Sequence, residues 1–235
     1  GIPSTGYEDK IDEIDGKMLY QYFLKCIQED EKHIYVVGDV DETIVDVFQQ
    51  YLKFPENHQD YPSAYTFKSQ HPDVLEIIEK QDITQSKLNL GYQIDCDFIS
   101  EQHYAFTVFN AIFGGFSQSR LFKVVREENS LCYYVSSSYD AFNGIMIVNA
   151  GIEAKDYHKT MALIQQELKA IQDGQIEKQD IDVAKMMLEN SLRKTSDEAG
   201  SMIALTYNRD ITHKVESNDE YIEKLLNVSQ EDIIK

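Results

Sequence analysis

The sequence predicts an α+β fold in which helices pack on one face of a largely antiparallel sheet. Three observations carry this. Runs with strand character cluster between residues 83 and 152, two of them joined near Asn143-Gly144, the favoured hairpin dipeptide. From Asp156 onward the segments carry helical spacing. Strands that precede a block of helices, instead of alternating with them, argue for separate layers.

Taken in order, Asp15 is a candidate N-cap for a helix reaching about Asp30, with Met18, Leu19, Tyr22, Phe23, Cys26 and Ile27 on one face. His33 to Val37 reads as a short strand closing on Gly38-Asp39, and Glu42 to Leu52 as a second helix. Residues 53–72 hold three of the four prolines, Pro55, Pro62 and Pro72, and form the linker candidate. Asp73–Lys80 and Ile83–Ile94 read as strands, the second alternating at Leu88, Leu90, Tyr92 and Ile94. Ser100 is the expected cap of a helix to Phe113, with Tyr104, Ala105, Val108, Phe109, Ile112 and Phe113 inward. Gly114-Gly115 breaks it, letting two segments pack closely, and a short helix resumes over about 118–128. Leu131–Asp140 and Ile145–Ile152 are the hairpin strands. Helices then cover about 156–173, stopped by Gly174, and 179–195, 198–209 and 218–226.

An internal echo runs across this order. Tyr7, Lys10, Ile11, Ile14, Asp15 and Leu19 align with Tyr221, Lys224, Leu225, Val228, Ser229 and Ile233 at a constant offset of 214 residues. It predicts a parent with two domain copies of about that length. The second copy here would lack the helix and strand matching Gln21–Val37.

Composition excludes several functions. A chain of 235 residues with 42% apolar residues folds. Its net charge of −19 repels phosphate backbones, so no nucleic-acid partner is expected. No apolar run approaches the roughly 18 residues of a membrane span. Cys26, Cys96 and Cys132 are widely spaced and contain no CxxC pair, which fits buried thiols in a reducing, cytoplasmic setting. The chain starts Gly1-Ile2-Pro3 without Met, which leaves room for an upstream portion.

The chemistry-bearing motifs are mostly negative. The closest two of the six histidines are 13 residues apart, and neither H-E-x-x-H nor H-x-x-E-H occurs, so no metal ligand set is marked. Each lone His reads as a surface or hydrogen-bonded polar residue. There is no G-x-S-x-G elbow, and Gly114-Gly115 lacks the residues that would make it a phosphate cradle.

The informative stretch is 110–139, NAIFGGFSQSRLFKVVREENSLCYYVSSSY. Gly114-Gly115, Ser119-Arg120-Leu121-Phe122, Arg126-Glu127, Leu131 and Tyr133 fall in the order and spacing of a known signature. It resembles the second domain of the pitrilysin/insulinase-like (inverted zincin) metallopeptidases. The family usually has Gly before that Tyr, where this chain has Cys132. Gln85-Ser86-Lys87-Leu88 with Gly91, Gly174-Gln175-Ile176 with Asp180-Ile181, and Val36-Val37-Gly38-Asp39 extend the likeness over nearly the whole chain. Within the family it is most similar to the bacterial small-subunit type, which includes inactive members.

The resemblance implies the mitochondrial-processing-peptidase-like metallohydrolase fold. Residues 1–57 would close a first repeat domain, 58–72 would link, and 73–235 would form most of a second. The family's zinc helix lies upstream of anything present here, so no cofactor is expected in this chain. Zinc would come from a missing upstream domain or a partner subunit. By position the resemblance makes Arg126 and Tyr133 substrate-binding residues, a guanidinium for peptide carbonyls and a phenol for a developing oxyanion. Without it, Arg126 reads as a helix-end cation and Tyr133 as a half-buried strand aromatic. Three readings stay open. The chain is a peptide-binding, non-catalytic half of a peptidase chamber, a fragment of an active zinc endopeptidase, or a structural core subunit. Expected partners are an extended peptide, the zinc-bearing domain or subunit, and a second copy of the chain.

Overall fold

The expected hairpin is present and supplies two strands of one antiparallel sheet. The computed structural model describes residues 5–54, 73–195 and 197–235. The chain divides into two units, Gly1–Pro62 and Ser63–Lys235. The expected linker, 58–72, lies outside the described residues.

In the first unit a short 3₁₀ turn, Glu8–Glu13, leads to α1 (Gly16–Glu29). Asp15 is extended and its carboxylate accepts from the Met18 N–H at 2.7 Å, the expected cap. Asp41 accepts from the Thr43 N–H at 2.9 Å and so starts α2 (Thr43–Tyr51). The strand expected at His33–Val37 is not formed: these residues join no ladder, and Ile34, Val36 and Val37 are exposed. A run of β-branched and aromatic residues gives a strand only where an edge is available to receive it.

In the second unit β1 (Ser86–Gln93), β2 (Cys132–Asp140) and β3 (Ile145–Ile152) pair antiparallel in the order β1-β3-β2. Register places Leu88, Ala150 and Val135 in one row, and Leu90, Val148 and Ser137 in the next. These rows form the buried face. Asp140 ties the hairpin by accepting from the Phe142 and Asn143 N–H groups, and Gly144 takes a positive φ of 62°. The strand expected at Asp73–Lys80 is absent; Val74, Leu75, Ile77 and Ile78 are exposed and unladdered.

Helices cover the buried face. The first is α3 (Gln102–Asn110), continued by a π-helical turn, Ala111–Gly115. Its apolar face is the expected one, with Tyr104, Ala105, Val108, Phe109, Ile112 and Phe113 all buried. Ser100 is not its side-chain cap. Asp97 takes that role for the preceding turn, accepting from the Ile99 and Ser100 N–H groups, because a carboxylate three residues earlier reaches both. The Gly-Gly break allows the expected close packing: a Cβ on Gly114 would lie 2.6 Å from the Ser137 backbone nitrogen in β2.

Helical residues 120–128 follow, π-helical over Phe122–Glu128. Then come α4 (Tyr157–Gln172), α5 (Lys178–Thr195), α6 (Ala199–Thr212), α7 (Asn218–Asn227) and α8 (Gln230–Ile234). Val108, Phe113, Leu121, Val125, Val148 and Ile164 are fully buried at the centre. Each such side chain stabilises the fold by about 1.5–3 kcal/mol.

The 214-residue echo has a structural counterpart. Ser229 is extended and its hydroxyl accepts from the Asp232 N–H at 3.2 Å, capping α8 as Asp15 caps α1. Helical residues precede both caps.

Candidate functional site

Arg126 and Tyr133 sit on either side of a tight helix-to-strand reversal. The Ser130 N–H bonds the Arg126 carbonyl at 3.1 Å and the Leu131 N–H bonds that of Val125 at 3.0 Å. Asn129 donates its Nδ2 to the Val124 carbonyl at 2.9 Å, and Ser130 takes a left-handed φ of 51°. The orphan carbonyls of the last helical turn are thus satisfied, and the chain enters β2 within a few residues.

Arg126 lies in that last turn. Its guanidinium stacks over the Phe122 ring at 4.6 Å and has no ion pair among the described residues. It is exposed. Stacking on the preceding turn orders the fork without using its donors on another side chain.

Tyr133 owes its placement to a β-bulge. Cys132 pairs with Ile152 and Tyr134 with Gly151, so Tyr133 is the extra residue between them. Simple alternation from the buried Val135 and Ser137 would turn Tyr133 into the core. The bulge turns it out instead, and it is 67% exposed. It is therefore not the half-buried strand aromatic that its residue type suggests. Its phenol lies close enough to Lys155 to add to the upward shift of that ammonium, which comes first from the Glu153 carboxylate 2.7 Å away. Cys132 beside it is half-buried; burial pushes its thiol up, and the Arg126 charge partly counters this.

Arg120, from the same motif, has a different task. Its Nη2 donates to the Gln175 carbonyl at 2.5 Å, its Nε to Asp180 at 3.3 Å, and its Nη1 lies 3.7 Å from Glu167. It clasps the 120–128 helix to α4 and α5. Burial lifts the Glu167 carboxyl above its ordinary value, and Arg120 pulls it partly back.

A buried polar network at the other end of the sheet gave no local sequence signal, because its partners lie from about thirty to about 120 residues apart. Thr107 donates to the His103 carbonyl at 2.7 Å, so the hydrogen shared at 2.6 Å with Tyr139 comes from the Tyr139 hydroxyl. That oxygen then accepts from His103 Nδ1 at 3.3 Å, and Nε2 accepts from the Tyr221 hydroxyl at 3.0 Å. His103 is held neutral. Burial, reinforced by the Lys214 charge, lowers its pKa to about 4. Tyr104 donates to Glu216 at 2.6 Å, and Lys224 lies 2.8 Å from the same carboxylate. Burial pushes Glu216 up, but Lys224, Tyr104 and Lys214 together bring it below the ordinary range. Lys214 sits 4.5 Å from the Tyr104 ring centre and donates to the Phe98 carbonyl.

Both nitrogens of His103 are engaged as above, and His33 pairs with Glu31 at 3.1 Å. Among the described residues no three His, Cys, Asp or Glu side chains converge as a metal site. Cys26, Cys96 and Cys132 are free thiols. No helix among the described residues is long and apolar enough to cross a membrane.

Known proteins share this architecture. A curated relative from Bacillus subtilis (strain 168), "Probable inactive metalloprotease YmfF", is 33% identical over 98% of this chain and 54% of its own length. A second from that organism, "Uncharacterized zinc protease YmxG", is 24% identical over 98% and 56%. The chain thus spans about half the length of the relatives it matches. A conserved Enterococcus faecalis V583 protein of known structure is 33% identical with a TM-score of 0.90, over 99% of this chain and 55% of that one. A Helicobacter pylori protease at 16% identity and a TM-score of 0.76, over 97% and 56%, shares the fold. The family model described as "Peptidase M16 inactive domain" matches residues 13–188, a span that contains the whole of 110–139 and runs from the first capped helix into α5; on that match, and on relatives a third identical along nearly its full length, the chain belongs to the peptidase M16 family through its inactive domain.

Proposed function

We propose that this chain is the non-catalytic, peptide-binding half of a pitrilysin/insulinase-like peptidase chamber in a cytoplasmic protein. The observation that carries the reading is the bulge. A fold that needed Tyr133 only for packing would leave it on the core side of β2, whereas here it projects outward seven residues after an unpaired Arg126. A guanidinium and a phenol offer donors to an extended backbone without demanding a particular side chain. In this reading 1–57 closes the first repeat, 58–72 links, and 73–235 is the second repeat, in keeping with caps 214 residues apart at Asp15 and Ser229. Zinc would come from the upstream domain or a partner subunit, where it would supply an activated water for hydrolysis in members that are active.

The test uses the full-length parent, or its complex with a zinc-bearing subunit. Arg126→Ala and Tyr133→Phe should each leave Tm nearly unchanged and weaken peptide binding or turnover by about 1–3 kcal/mol. Normal peptide handling by both variants would refute the assignment. A second reading, a fragment of an active zinc endopeptidase with H-x-x-E-H upstream, is favoured by the relative named a zinc protease. Chelator-sensitive cleavage by the parent decides between them.

A further inference from the structure

Asn143-Gly144 turns the hairpin between β2 and β3, and it is also a dipeptide that can react with itself. A glycine after asparagine has no Cβ to hinder attack by its nitrogen on the neighbouring carboxamide. The Gly144 N–H donates no hydrogen bond among the described residues. Asn143 is exposed, so water reaches its side chain.

Asp140 stands in the way. Its Oδ1 accepts from the Phe142 N–H at 2.9 Å and the Asn143 N–H at 3.1 Å, and its Oδ2 accepts from Asn143 Nδ2 at 2.6 Å. The carboxamide is thus held on Asp140, and Gly144 itself is buried. Ring closure has to wait until this clamp opens. Hydrogen bonds to an ionised carboxylate are roughly twice as strong as neutral ones, so the clamp governs the opening.

We propose that Asn143 is a site of spontaneous deamidation, to aspartate and isoaspartate, and that Asp140 is the residue that restrains it. The proposal goes beyond the Arg126–Tyr133 reading and does not depend on it. The Gly144 nitrogen gives its proton to solvent base and bonds to Asn143 Cγ. The Cγ–Nδ2 bond breaks, and the nitrogen leaves as ammonia with a proton from water. A water molecule then opens the resulting five-membered imide at either carbonyl. Opening at Cγ leaves an ordinary aspartate, and opening at the main-chain carbonyl leaves isoaspartate. The sum is one water consumed and one ammonia released, with no change of oxidation state.

Either product sets a second carboxylate where Nδ2 had donated to Asp140, so an attraction becomes a like-charge contact. The isoaspartyl form also lengthens the main chain of the turn by one carbon. The Gly144 carbonyl accepts from the Ile94 N–H at 2.9 Å, and the Phe142 ring stacks on Phe98 at 5.6 Å. Phe98 in turn lies 4.8 Å from the His103 ring. Conversion therefore loosens the end of the sheet that adjoins the buried network.

The 235-residue chain, aged in warm, mildly alkaline buffer and mapped by peptide mass spectrometry, tests it. The amide-to-acid mass gain is expected at Asn143 ahead of Asn129 and Asn190, which precede serines, and it should resolve into two product peptides. Asp140→Ala should speed the conversion about tenfold or more, the factor that losing one charge-assisted hydrogen bond makes. Asp140→Asn, which keeps an acceptor for the two N–H groups, should fall between. Hydrogen exchange of β1 and β3 in each variant shows that the fold is kept, and Asn143→Gln should abolish the signal. The idea is overturned by no gain at Asn143 over a period in which the urea-unfolded chain converts, by earlier conversion of Asn129 or Asn190, or by equal rates with and without Asp140.

Discussion

The two units obey the same local rules and differ in what those rules achieve. In residues 5–54, α1 has a carboxylate cap and an apolar stripe, yet no residue of the segment is buried. Met18, Leu19, Tyr22 and Phe23 all remain exposed. In residues 73–235 similar stripes meet a sheet, and more than twenty side chains join one cluster. Periodicity and capping specify a helix; a core requires a second surface of matching shape.

Substitutions can break or sharpen this contrast. The largest effect is expected at Gly114, where a Cβ would collide with backbone and side chain of Ser137. Gly114→Ala should destabilise the second unit by about 3 kcal/mol, the upper range for overpacking. Leu19→Ala in the exposed stripe should cost less than about 0.5 kcal/mol. Equal losses in denaturant melts would mean that α1 is covered after all.

Acid should act on the second unit in a defined window. The folded-state pKa of His103 is depressed from 6.5 to about 4. Between those values the unfolded chain takes up the proton that the fold refuses, so stability is lost as pH falls from about 6.5 toward 4. The loss should reach about 3 kcal/mol. Glu216, also depressed, adds to the decline below its ordinary 4.5. His103→Gln should flatten the upper part of this slope. An unchanged slope in pH-dependent melts would place the titration elsewhere.

A smaller effect concerns the cap. Asp15→Ala should cost α1 about 1 kcal/mol and lower its helicity. Hydrogen exchange should show this in residues 16–29 and leave the protection of β3 unchanged. Parallel loss in both would show that the units unfold together.

Much of the second unit was legible because its signals are local. Alternation along β1, the Asn143-Gly144 turn and the inward face of α3 each lie within a dozen residues. The segments at 33–37 and 73–80 are rich in β-branched and other apolar residues and join no ladder, since pairing depends on a partner that a local pattern does not contain. The site was half legible. The family resemblance singled out Arg126 and Tyr133 as candidates, but the outward turn of Tyr133 rests on a bulge, and strand alternation alone predicts the opposite face. The network joining His103 to Tyr221, and Tyr104 to Glu216, was invisible because its members meet only after the chain has folded.

The bulge also acts as a frameshift in the strand. One extra residue between Cys132 and Tyr134 lets the buried rows keep their register while a phenol is displayed on the opposite side. Deleting Tyr133 would restore an unbroken ladder and a more regular sheet, and would erase the displayed group in the same stroke. Chain length between the helix and β2 therefore records what substitution patterns hide. A sequence one residue shorter there has kept the scaffold and given up the display.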